Sequence, residues 1–447
     1  MGETVRESAG TRGRQAVRTV LLAAVACVIG AVALGCTPPT DVPASSTSTT
    51  SATSTTASTS TTASTTAPTT TTSLPGVPAE PGVASTYQND PSHRGSVTDP
   101  AVDVPSLTEV WSRNLGAQAS YAVIARDRVF VTARTGTTLY GTTLHALRLS
   151  DGSTAWTADL GGTYHWSSVA YEDGRVFALN FNGLLRAFDV ESGQVLWAQQ
   201  LHQYSYSAPV VVRNNYVYAT GSGSGGTLDV VNAMTGGFVW TASIGNGSIS
   251  SPAVDATGVY SSHPCDTQGH SLFGALLWKA PDNCSGGGGK QVSLDSANGR
   301  LYVRNARIGT VTVNAVLDTT TGAIVSTIPG GSPYAITDGG AFTVSNTVLV
   351  KVDPTTGSQL WSQTGDLNET LVGPPNVVNG TVLVGGRSGK VYGFSAATGA
   401  RVWTSAAGQP VPAIDEQNVA APTAAISIGL GHVAVPTDQG LRVFASR

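Results

Sequence analysis

Charge is scarce in this chain: Asp, Glu, Lys and Arg make up 12% of the 447 residues, and the formal net charge is −4. No stripe of Lys and Arg with interleaved aromatics occurs, so the electrostatic footprint of a nucleic-acid binder is missing. Cysteine is limited to four residues, and none has the spacing of a zinc site. No Gly-x-Ser-x-Gly lies between a strand and a helix, which removes a hydrolase-type nucleophile elbow. The Gly-rich stretches GSGSGG (221–226) and SGGGG (285–289) open no helix, so they read as turns rather than phosphate cradles. Helical periodicity gives way almost everywhere to short alternating runs.

What the chain has instead is one pattern many times over. LHALRLSDGSTAW (Leu144 to Trp156), LRAFDVESGQVLW (Leu185 to Trp197), LDVVNAMTGGFVW (Leu228 to Trp240), LVKVDPTTGSQLW (Leu349 to Trp361) and VYGFSAATGARVW (Val391 to Trp403) each run from an apolar strand through a Gly turn to a Trp. Weaker copies end at Trp278 and at Ser326, which stands where Trp is expected, and Trp111 supplies a further anchor. The period is about 43 residues, which suits four short strands per unit. Upstream of each copy lies a hairpin pattern, as in SAPVVVRNNYVYAT from Ser207. The fold expected is all-β: an eight-bladed β-propeller of four-stranded antiparallel blades. The last unit ends at LRVF (Leu441 to Phe444) without a Trp strand, and the segment Leu107 to Leu115 is expected to supply it, closing the ring by pairing the two chain ends.

Within each unit Trp111, Trp156, Trp197, Trp240, Trp278, Trp361 and Trp403 are expected to fill the wedges between blades. Gly152, Gly193, Gly236, Gly322, Gly357 and Gly399 are expected at positive φ in the preceding turn. These are structural roles, and a propeller scaffold does not fix a chemistry.

The pattern Leu-x-Ala-x-Asp/Asn-x-x-Thr-Gly-x-x-x-Trp resembles the repeat of the pyrroloquinoline-quinone (PQQ)-type propellers. YQNDPSHRGSV (Tyr87 to Val97) resembles the lead-in of the secreted, non-enzymatic branch of that group, which includes the outer-membrane assembly propeller lipoproteins. That branch implies a module presenting loops and edges to partner proteins. The enzymatic branch implies PQQ near the axis, Ca²⁺ held by Glu, Asn and Asp, a catalytic Asp, and often adjacent cysteines. This chain has no adjacent Cys pair and nearly minimal blades, so no cofactor is expected, with PQQ and Ca²⁺ as the alternative. Asp366, Glu369, Asp415 and Glu416 fall in loops opening on one face and are the acids that such a Ca²⁺ could use.

The N-terminus concerns location. Arg6, Arg12, Arg14 and Arg18 precede the uncharged run TVLLAAVACVIGAVALG (19–35), the form of a signal peptide. Ala33-Leu34-Gly35-Cys36 resembles a bacterial lipobox, with Ala33 in place of the common Leu. The expectation is a lipid on Cys36 and a protein held at the extracytoplasmic face of the cell membrane by that anchor alone; an uncleaved single span is the alternative. The expected organisation is a signal at 1–35, a lipid-bearing Cys and Ser/Thr-rich disordered linker at 36–75, a lead-in segment at 76–104 and the propeller at 105–447. Such a linker reaches roughly 30–35 Å.

Two side-chain groups remain. Cys265 and Cys284 bracket an irregular blade and are expected to form a disulfide in an oxidising compartment, contributing roughly 3 kcal/mol. His263, Cys265, Asp266 and His270 are close in sequence but match no metal spacing, so no metal is expected there. The loops between blades carry Tyr164, His165, Trp166, His202, Tyr204, Tyr206, Lys290 and Tyr334, which should gather as a rim suited to a protein or glycan partner. The expected function is a monomeric, non-catalytic binding or scaffolding module at the cell envelope. A PQQ- and Ca²⁺-dependent dehydrogenase and a glycan-binding module are the alternatives.

Overall fold

The structure is a computed structural model that describes residues 80–447 except 137–139, 224, 246–249, 264–265, 282–289, 309–310 and 417. The predicted signal, Cys36, the Ser/Thr linker and both Cys265 and Cys284 lie outside the described residues.

Alternating apolar runs broken by Gly, Asn and Asp turns produce eight four-stranded antiparallel sheets arranged as the blades of an eight-bladed β-propeller. Blade 1 begins at Val123–Ala125, blade 2 at Ser167–Glu172, blade 3 at Val211–Arg213 and blade 4 at Ala253–Val254. Blade 5 begins at Ser293–Asp295, blade 6 at Ala335–Thr337, blade 7 at Leu371–Val378 and blade 8 at Ser427–Gly429. These are the innermost strands. The connections from an outermost strand to the next innermost strand all leave on one face, here the crossover face. The tight turns after the innermost strands lie on the opposite, turn face.

The outermost strand of blade 8 is Leu107–Asn114, which pairs antiparallel with Gly440–Ser446, so the two ends of the propeller close the ring as the sequence implies. Apolar side chains of successive blades interdigitate. Tyr121, Phe130 and Leu144 of blade 1, for example, pack with Val169, Val176 and Phe188 of blade 2.

The Trp anchors do more than fill space. Trp111 Nε1 donates to Leu149 O at 2.7 Å, Trp156 to Val190 O at 3.1 Å, Trp197 to Ala233 O at 2.9 Å and Trp278 to Thr319 O at 2.6 Å. Each acceptor belongs to the following blade and stands three residues before its turn glycine. That glycine needs both its positive φ and its missing Cβ. Gly322 has φ +70°, and a Cβ there would lie 2.4 Å from Trp278 Cε3. In blade 5 Ser326 replaces Trp and its Oγ donates to Pro354 O, keeping the bond without the ring. In blade 6 Trp361 Nε1 has no partner, because the corresponding carbonyl, Ala396 O, accepts from Lys351 Nζ at 3.0 Å.

The lead-in segment makes one circuit of the axis. Leu430 N donates to Gly82 O in blade 8, and Ala84 exchanges hydrogen bonds with Ile124 in blade 1. Tyr171 N in blade 2 donates to Ser85 O, and Thr86 Oγ1 donates to Val210 O at the start of blade 3. Val254, Leu294, Ile336 and Val377, in blades 4 to 7, donate their N–H groups to Pro91, Ser92, Arg94 and Gly95 carbonyls. Ser96–Val97 then adds a parallel strand inside blade 7. Thus every innermost strand, or a residue flanking it, bonds to this one strap. Tyr87, Gln88, Asn89 and His93 are fully buried within it. Gln88, Asn89 and His93 sit at φ +52°, +77° and +54°, conformations that persist only when the surroundings dictate them.

Candidate functional site

The crossover face carries every residue singled out for binding, but it does not gather the aromatics into one rim. Trp166, Tyr206 and Tyr334 are buried. Trp166 Nε1 reaches Thr423 Oγ1 at 3.4 Å, Tyr334 Oη donates to Pro329 O at 2.8 Å, and Tyr206 Oη donates to the buried Asp229 at 2.7 Å. Burial, and next the Asp229 charge, push the Tyr206 phenol well above its ordinary pKa. These three are packing residues, which corrects the expectation of a shared exposed rim. Their place at the foot of an innermost strand turns the ring inward between blades.

Two positions before Trp166 and Tyr206 the side chains point outward. Tyr164 is half-exposed and meets Phe181 edge-on at 4.6 Å between centroids. Tyr204 is 75% exposed. Gly221 and Gly223 lie against these rings: a Cβ on Gly223 would fall 2.7 Å from Tyr204 Cδ2, and one on Gly221 would fall 2.5 Å from Tyr206. The glycines make a flat floor, pinned by a Ser205–Ser222 bridge, on which Tyr204 lies with its other side open. His202 places Nδ1 2.8 Å from Asp229 Oδ1 and rests against Phe238 at 4.1 Å between centroids. His165 Nδ1 lies 3.2 Å from Gly141 O. Lys290 stands away from these residues, beside Glu416.

The loop acids are engaged. Asp366 accepts from Lys390 Nζ at 2.7 Å and Arg401 NH1 at 2.6 Å, and those bonds hold its carboxyl below the usual range. Glu369 accepts from Tyr392 Oη at 2.8 Å, from Thr370 N at 3.0 Å and from Ser388. Between them Asn368 adopts φ +65°, and Leu367 at the tip of this turn is 93% exposed. Glu416 is buried with Arg304, both side chains 3% exposed, at 2.6 Å. Sequence reasoning missed Leu367 and Arg304. The signal for Arg304 was a charge among the apolar residues of LYVR (301–304), and for Leu367 an apolar residue between loop acids.

The profile of the family described as outer membrane protein assembly factor BamB matches residues 93–258, 182–320 and 273–445. No curated protein matches the sequence. Among solved structures, BamB from Moraxella catarrhalis is similar at 18% identity and a TM-score of 0.57, covering 76% of this chain and 100% of its own. A europium-containing methanol dehydrogenase aligns at 13% identity and a TM-score of 0.58, covering 81% of this chain and 91% of its own. The quinohemoprotein alcohol dehydrogenase from Comamonas testosteroni aligns at 13% identity and a TM-score of 0.57, covering 82% and 81%. At such identities these likenesses show the fold alone.

The dehydrogenase neighbours turn attention to the loop acids and to the partners that hold them. Asp366 and Glu416 are neutralised by Lys390, Arg401 and Arg304, and Glu369 is surrounded by donors. Among the described residues no three His, Cys, Asp or Glu side chains converge as a metal site. Asp366, Glu369 and Glu416 are thus each held by donors of this chain. With the profile running through most of the blades, the chain belongs to the PQQ-like propeller family described as outer membrane protein assembly factor BamB.

Proposed function

We propose that this protein is a lipid-anchored, extracytoplasmic propeller that binds a partner protein through its crossover face and does not catalyse a reaction. The observation that carries the reading is the Asp366–Thr370 turn. Ion pairs and hydrogen bonds fix both of its acids, and the fixed turn holds Leu367 out at 93% exposure. A preformed loop loses little entropy when it docks, and an apolar side chain presented this way suits a pocket on another protein. The family description, an assembly factor for outer membrane proteins, supports a role among envelope proteins.

The test is photo-crosslinking in intact cells from a reactive residue at position 367, with position 196 on an outer edge as the comparison. A discrete adduct from 367 is expected, and its purified partner should bind the Leu367→Asp variant at least tenfold more weakly, about 1.4 kcal/mol. Adducts from 196 and none from 367 would remove the crossover face from consideration. Anchoring has its own check, since Cys36→Ala should move the protein from the membrane to the soluble fraction. Glycan binding is the second reading, favoured by the flat, open Tyr204 ring. Tyr204→Ala should then abolish retention on envelope polysaccharide while leaving the Leu367 adduct intact.

A further inference from the structure

On the turn face a cleft of about 850 Å³ opens across blades 5, 6 and 7, within the size range of small-molecule sites. Its lining includes Lys351, from the third strand of blade 6, which is only 8% exposed. The Nζ group donates to Ala396 O of blade 7 at 3.0 Å and stands 5.6 Å from the centroid of the Phe342 ring. A carbonyl and a ring face are weak company for a buried ammonium, which is ordinarily paired with a carboxylate. Among the described residues no carboxylate pairs with it, and burial, unopposed by any acid, lowers its pKa. An ammonium has three donors, and Ala396 O takes one of them. Gly339 leaves a way in, since the Cβ of any other residue there would lie 3.8 Å from Nζ.

The lining holds two cations, Lys351 and Arg94, and one acid, Asp338. Arg94 NH2 donates to Asp338 Oδ1 at 3.1 Å, and its Nε donates to Ile336 O at 3.3 Å. Those two charges cancel, and Lys351 is the surplus. The fold itself does not need that charge, because an apolar residue at 351 would free Ala396 O for Trp361 Nε1, the kind of bond the other Trp anchors make. Ser96, Thr98 and Thr337 bring hydroxyl-bearing side chains to the wall, whose apolar members are only Ala and Val. No aromatic ring lines it.

We propose that the turn-face cleft binds a sugar acid, whose single carboxylate pairs with Lys351 and whose hydroxyls meet Ser96, Thr98 and Thr337. A dianion such as phosphate is disfavoured, because the second cation is already committed to Asp338. A neutral sugar leaves Lys351 without a counter-charge, and an aliphatic acid finds little apolar surface. The chemistry is shared by a uronate within an envelope polysaccharide and by a free sugar acid. The inference does not rest on the partner reading or on the Tyr204 reading, because Leu367 and Tyr204 belong to the opposite face.

The experiment is calorimetric titration of the full-length, detergent-solubilised protein with galacturonate, its methyl ester, tetragalacturonate and inorganic phosphate. Galacturonate is expected to bind at least about tenfold more tightly than the ester, the scale of one charge-assisted hydrogen bond. That ratio should fall to near one in Lys351→Met. Thr98→Glu, at an exposed wall position, cancels the surplus charge without touching the buried lysine and should weaken the acid by a similar factor. The tetramer binding about tenfold more tightly than the monomer identifies a polysaccharide as the source, and equal binding identifies a free acid. Equal binding of acid and ester, no binding of any uronate, or phosphate binding more tightly than galacturonate overturns the proposal. Retention of the acid preference in both variants overturns it as well. Leu367→Asp and Tyr204→Ala should bind all four probes as the parent does, and loss in either would move the acid to the crossover face and overturn the assignment.

Discussion

The outer girdle of this propeller and its axis solve the same problem in opposite ways. At the periphery each blade is fastened to the next by one Trp, one carbonyl and one glycine, repeated with local substitutions. At the centre a single unrepeated segment fastens all eight blades at once. A change in the girdle therefore acts on one seam, whereas a change in the strap removes bonds that link blades remote in sequence. Redundancy protects the first arrangement and not the second.

The largest expected effect follows from Asn89. Its Nδ2 donates to Asn376 Oδ1 at 2.7 Å and its Oδ1 accepts from Ile428 N at 2.9 Å, joining blades 7 and 8 through the axis. Asn89→Ala leaves two buried polar groups unmet, and denaturant unfolding should report a loss of about 4 kcal/mol. A loss under 1 kcal/mol would mean that the strap is dispensable.

His93 sharpens the contrast by pH. Burial lowers its pKa from 6.5 to about 4, so the folded state keeps it neutral while the unfolded chain takes up a proton below 6.5. Stability should therefore fall as pH drops from about 6.5 to about 4, by about 3 kcal/mol from this residue, and level off below. His93→Gln should flatten that part of the curve, measured by unfolding across the interval. An unchanged slope would assign the acid sensitivity elsewhere.

In the girdle, Gly322→Ala places a Cβ 2.4 Å from the Trp278 ring at φ +70°, and a loss of about 2 kcal/mol is expected at that seam. The smallest effect belongs to Lys351→Met. It releases Ala396 O, which the unpartnered Trp361 Nε1 can then take, so the lost and gained bonds should cancel to within about 1 kcal/mol. A shift beyond 2 kcal/mol in the same assay would show that the two donors do not compete.

The same contrast explains what was legible. Repetition announced the girdle: Ser326 was visible as a missing Trp, and LRVF without a following Trp pointed to closure by Leu107–Asn114. The circuit of Gly82–Gly95 was invisible, because nothing periodic marks a segment whose partners lie in eight different blades. On the crossover face, phase identified the face but not the depth. Tyr164 and Trp166 differ by two positions, as do Tyr204 and Tyr206, yet one of each pair is outside and the other is packed between blades. Depth depends on neighbours such as Gly221 and Gly223, whose part as a floor under aromatic rings cannot be read from a Gly-rich string.

The circuit of the strap also has a mechanical consequence. Tension applied from the N-terminal side enters the fold at Gly82 and meets hydrogen bonds distributed around all the innermost strands before it reaches Leu107–Asn114. The strand that closes the ring is thereby shielded from peeling, as a drawstring takes the pull ahead of the seam it gathers.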